Sequence, residues 1–77
     1  MGEIRKRITF HGRVQGVGFR YTARLAAGSL GLTGWAKNEY DGTVTMEVQG
    51  SEGMINKLLV RLNTDHFIRI EWIDRKS

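Results

Sequence analysis

Residues 32–49, LTGWAKNEYDGTVTMEVQ, contain two short strand-like runs separated by EYDG. An Asp-Gly pair between such runs is the strongest short-range signal for a β-hairpin. In the second run Val44, Met46 and Val48 alternate with Thr43, Thr45, Glu47 and Gln49. That strand therefore has one apolar face and one wet face.

Working outward, each side of the hairpin meets a helical pattern. On the N-terminal side FRYTARLAAGSLG (19–31) sets Tyr21, Leu25 and Leu30 near helical spacing, with Gly31 as C-cap. On the C-terminal side SEGMINKLLVRLN (51–63) starts at Ser51 as N-cap, with Glu52 in the first turn. Its Ile55, Leu58, Leu59 and Leu62 form an apolar stripe of helical period. One step further out, RKRITFHGRV (5–14) puts Ile8, Phe10, Gly12 and Val14 on one face and Arg7, Thr9, His11 and Arg13 on the other. HFIRIEWIDR (66–75) alternates again, with Ile68, Ile70 and Trp72 on one side. The order is βαββαβ. Two right-handed βαβ units joined by a hairpin predict an α+β ferredoxin-like sandwich, two helices on one face of a four-stranded antiparallel sheet. Residues 1–77 are expected to form one domain, since the chain is too short for two.

Composition narrows the class. Hydrophobic residues at 40% and charged ones at 26% describe an ordinary globular chain rather than a disordered one. There is no cysteine, so neither disulfides nor a thiolate metal site can reinforce the core. That fits a reducing compartment. MGEIRKRITF has no signal-peptide h-region and no apolar run reaches transmembrane length, so a cytoplasmic location and no membrane partner are expected. Twelve Lys/Arg against eight Asp/Glu give +4, which favours an anionic partner without choosing among metabolites, nucleic acid and membrane surfaces.

Between the first strand and the first helix, HGRVQGVGFR (11–20) holds three glycines and no acid. A loop opening a helix there can aim main-chain N–H groups inward at the positive end of the helix dipole. Gly16 and Gly18 permit the backbone angles this needs, and Arg20 adds a planar fork of donors suited to two phosphate oxygens. The stretch lacks the Gly-Lys-Ser/Thr ending of a nucleotide P-loop and the third glycine of the dinucleotide fingerprint. A cradle for a phosphate-sized anion and a plain strand-to-helix turn both remain open on these grounds.

GRVQGVGFR (12–20) and GLTGWAKNEYDGTV (31–44), in that order, resemble the two signature motifs of the acylphosphatase family. Residues 12–44 carry the resemblance; the rest of the chain matches in pattern and element order. The resemblance implies hydrolysis of a carboxyl-phosphate mixed anhydride of small acyl phosphates to carboxylate and inorganic phosphate. It implies that the main-chain amides of Gln15, Gly16, Val17, Gly18, Phe19 and Arg20, with the Arg20 guanidinium, hold the phosphoryl group. It further implies that Asn38 orients the attacking water. Phosphate or sulfate should then occupy the site as ligand. Positioning and electrostatics dominate phosphoryl transfer, so no strong general acid is required. Asn38 cannot accept a proton at neutral pH, and the bound phosphate itself is the expected acceptor. Glu39 and Asp41 flank a tight turn and make no metal constellation, so the reaction is expected to need no metal and no cofactor.

Other features read more plainly. His11 sits on a strand face with Thr9 and Arg13 and is not expected to be catalytic. Trp35 and Trp72 read as packing residues, and Arg5-Lys6-Arg7 as a solvated basic edge. Arg13, Arg24 and Lys37 are expected to steer anions towards the loop. Tyr40 and Ala36 stand where the family often has proline and valine, and NTDHF (63–67) replaces its usual Gly-Pro turn. A monomer is expected, with edge-strand dimerisation as the alternative, because the last strand has little chain after it to protect it. Two rival functions remain. One is a weakly active or inactive phosphate-binding module; the other is RNA binding, disfavoured because the wet strand faces carry no base-stacking aromatics.

Overall fold

Six elements form in the expected order: β1 (Ile4–Arg13), α1 (Phe19–Ser29), β2 (Thr33–Asn38), β3 (Val44–Gly50), α2 (Glu52–Asn63) and β4 (Arg69–Lys76). This computed structural model describes residues 3–16, 18–64 and 68–76, without the side chains at 72 and 76. The strands make one antiparallel sheet in the order β2-β3-β1-β4. Both helices cover the same face, so the fold is the ferredoxin-like sandwich.

Strand alternation decides where the core lies. Across β1 and β3, Ile8 stands opposite Met46 and Phe10 opposite Val44. Ile8, Phe10 and Val44 are fully buried, beneath Ile55, Leu58, Leu59 and Leu62 of α2. Each fully buried side chain of this kind is worth about 1.5–3 kcal/mol, more than the exposed ion pairs of the opposite face can supply. The helix ends are stopped as the residues predict. The Leu32 N–H donates to Ala27 O at 2.9 Å and the Gly31 N–H to Gly28 O at 3.2 Å, a Schellman pair that closes α1. Ser51 Oγ accepts from the Met54 N–H at 3.2 Å and opens α2.

The structure corrects four expectations. In α1 the inward stripe is Phe19, Ala23 and Ala26, extended by half-buried Leu30, whereas Tyr21 is 69% and Leu25 56% exposed. Phe19 sets this phase, because its ring enters the core first; Tyr21 then lies about 200° round the helix. In β4 the register against β1 shifts between His11 and Gly12, so His11 pairs with Trp72 but Gly12 with Ile70. Glu71 is the extra residue of this bulge, and the alternation changes phase there. Ile73, opposite Phe10, takes the inward place expected of Trp72, whose side chain lies outside the described residues. Glycine is required at position 12, where a Cβ would sit 2.2 Å from Arg69 O.

The third correction concerns Trp35. It is 42% exposed on the open face, with the Arg7 guanidinium 5.7 Å from its ring centroid. The basic edge is also paired rather than merely solvated. Arg5 Nε donates to Glu47 Oε1, Arg5 Nη1 donates to Gln49 Oε1 at 2.9 Å, and Arg7 Nη2 donates to Glu47 Oε2 at 2.8 Å. These guanidinium hydrogen bonds hold the Glu47 carboxyl below the usual carboxylate range.

Candidate functional site

Val14 and Phe19 bound the glycine loop, and both are buried. The Phe19 ring lies against Phe10 with centroids 4.9 Å apart and planes tilted by 58°. The loop between them is thus strung from two core anchors. Gly16 has φ +73° and Gly18 φ +77°, the left-handed region, while a Cβ at either would meet nothing within 4 Å. Conformation, not space, is what calls for glycine here.

Gly18 is also the N-cap of α1, and it supplies no side-chain cap. The first turn contains no acidic residue. Among the described residues, no main-chain hydrogen bond takes up the N–H of Gln15, Gly16, Gly18, Phe19 or Arg20. Val17 lies outside the described residues. A helix start with free N–H groups carries a partial positive charge, and a cation beside it is unfavourable unless an anion joins them. Arg20 is that cation. It is exposed, and no carboxylate among the described residues pairs with it.

Asn38 ends β2, paired in register with Val44, and is exposed. The turn after it is closed by the Glu39 N–H donating to Thr43 O at 2.8 Å and the Gly42 N–H donating to Glu39 O at 3.3 Å. Asp41 serves this turn. Its Oδ1 accepts from the Thr43 hydroxyl at 2.7 Å and the Thr43 N–H at 3.0 Å. These bonds hold the Asp41 carboxyl below its ordinary value, the hydroxyl bond most strongly. Among the described residues no group of three His, Asp or Glu is spaced to hold a metal. His11 Nε2 lies 3.3 Å from Asp74 Oδ2 on the neighbouring strand β4.

Loop and turn meet through Gln15. Its half-buried carboxamide donates to Glu39 O at 2.8 Å and to Thr43 O at 2.9 Å, the two carbonyls that bracket the turn. The loop that leads to Arg20 is thereby tied to the residue that follows Asn38. From sequence alone, Gln15 is expected to contribute only a main-chain amide. Its side-chain partners lie 24 and 28 residues away, and nothing local in the sequence signals them. The assembled end of the sheet thus offers a positive helix start, an unopposed guanidinium and a neutral carboxamide. That combination suits a tetrahedral anion approached by a neutral nucleophile.

The family model described as acylphosphatase matches residues 6–76. An acylphosphatase of Clostridium perfringens is 49% identical over 75 residues, spanning 96% of this chain and 84% of that one. The crystal structure of acylphosphatase from Bacillus subtilis superimposes with a TM-score of 0.87 at 34% identity, covering 94% of this chain and 81% of that one. The structure of an acylphosphatase from Coxiella burnetii gives 0.88 at 32% identity, covering 97% and 80%. The chain belongs to the acylphosphatase family.

Proposed function

We propose that the N–H groups of Gln15, Gly16, Val17, Gly18, Phe19 and Arg20, together with the Arg20 guanidinium, bind the phosphoryl end of the substrate, and that Asn38 holds the attacking water. The activity of the family is hydrolysis of acyl phosphates to carboxylate and phosphate. The observation that carries this assignment is the start of α1. It has N–H groups and an arginine that no described residue engages, and the Gln15 bridge ties the loop before it to Glu39, the residue that follows Asn38.

The chemistry follows from charge. In the transition state negative charge spreads over the equatorial phosphoryl oxygens, where fixed N–H donors and a guanidinium stabilise it without reorganising. Water attacks phosphorus as the bond to the acyl oxygen breaks. The leaving carboxylate is a weak base and departs without protonation, and the water's proton passes to a phosphoryl oxygen. The Asn38 carboxamide both donates and accepts, so it can align water without serving as a base. The substrate's shared phosphoryl end is what these groups contact, with no side chain among them selecting the acyl group. The protein acts as one domain over residues 1–77, a cytoplasmic monomer whose small-molecule ligands are acyl phosphate and inorganic phosphate or sulfate. Neither a metal nor another cofactor takes part.

Phosphate release from an aryl acyl phosphate tests the roles. Arg20→Ala is expected to raise KM by about 10-fold or more, since binding common to ground and transition states is lost. Asn38→Ala is expected to lower kcat by about 100-fold or more with KM little changed. Excess chelator should leave the wild-type rate unchanged. Equal kinetics for the three proteins would contradict the assignment.

A further inference from the structure

We propose that Gln15 is a positioning residue for the hydrolysis, setting the distance between the phosphate loop and Asn38 through its side chain. The inference rests on the assignment of Arg20 and Asn38 above and goes beyond it. Both acceptors are main-chain carbonyl oxygens, Glu39 O at 2.8 Å and Thr43 O at 2.9 Å, so only the NH2 end of the carboxamide can face them. Both of its N–H bonds are spent there, which leaves that nitrogen no donor for substrate.

The acceptors define what the bridge fixes. Thr43 O already accepts from the Glu39 N–H, and Glu39 O from the Gly42 N–H. The Gln15 bonds therefore add a second donor to each carbonyl of a turn that is closed without them. Their contribution is not to form the hairpin but to locate it against the loop. Among the described residues no other hydrogen bond joins 15–18 to 39–43. Phosphorus would be held by one segment and water by the other, and only their separation makes an in-line approach. A displacement of about 1 Å can cost on the order of 100-fold in such a geometry.

Side-chain chemistry restricts replacements. Glutamate has the same length, but its carboxylate would face two carbonyl oxygens with no proton to offer. Methionine matches the length and donates nothing. Asparagine keeps the donors and is one methylene too short to span both carbonyls.

Gln15→Met, Asn38→Ala and the double variant are compared by aryl acyl phosphate hydrolysis and by competitive inhibition with inorganic phosphate. The assay temperature is one at which circular dichroism shows all of them folded, and Gln15→Asn replaces Gln15→Met should the latter not fold. We expect Gln15→Met to lose about 10- to 100-fold in kcat while the phosphate inhibition constant stays within about threefold. In the Asn38→Ala background the same substitution should cause little further loss, because both changes remove one function. A folded Gln15→Met protein with wild-type kcat would overturn the proposal. So would a phosphate constant weakened in step with kcat, which would make Gln15 a binding group, or losses that multiply in the double variant. Wild-type kcat in Asn38→Ala alone would instead refute the underlying assignment.

Discussion

At Gly18 one backbone angle serves two purposes. Its φ of +77° turns the chain from loop to helix, and its lack of a side chain leaves the start of α1 uncapped. A non-glycine residue in this conformation costs about 1–2 kcal/mol. Gly18→Ala should therefore lower the melting temperature by roughly 4–8 °C per kcal/mol for a domain of this size. An unchanged melting curve would show that position 18 does not need the left-handed angle. Gly16 and Gly18 were legible at this scale because a left-handed φ calls for glycine; the proposed roles of Arg20 and Asn38 rest on their type, a permanent charge and a neutral donor-acceptor. Gln15 advertised nothing of the kind. A glutamine is ordinary in any loop, and its function depends on carbonyls that only the folded sheet brings within reach.

Elements were legible where pattern and packing agreed. The stripe on α2, the cap at Ser51 and the Asp-Gly turn all formed as periodicity and turn chemistry predict. Errors arose where a neighbouring element overrode the local pattern. Phe19 set the phase of α1 so that small alanines faced the sheet and the larger Tyr21 and Leu25 faced solvent. The bulge opposite Gly12 reversed the alternation of β4, which period-two reading cannot foresee. Across β1 and β3 the open face carries the cluster of Arg5, Arg7 and Glu47. Because folding lowers the Glu47 pKa, its stabilising effect is complete above the ordinary glutamate value of about 4.3. It is lost as pH falls through the lowered value. Glu47→Gln should therefore melt below wild type near neutral pH, with the gap closing as the solution is acidified from neutral pH through the lowered Glu47 value. A gap of equal size at both ends of that range would mean that the carboxylate charge is not what matters.

At the scale of the whole molecule, the sheet order β2-β3-β1-β4 places the exit of β1, the start of α1 and the β2–β3 turn at one end. None of these segments holds the proposed site alone. β1 and Val14 launch the loop, Phe19 anchors its far side in the core, and Gln15 ties it to the turn that follows Asn38. An amide-resolved NMR titration of the protein with inorganic phosphate tests the central claim most directly. The largest shifts should fall on the main-chain amides of residues 15–20, with the Asn38 carboxamide following, and Arg20→Ala should weaken the binding by about 10-fold or more. Shifts centred on the Arg5–Arg7 face, with the loop amides unmoved, would contradict it.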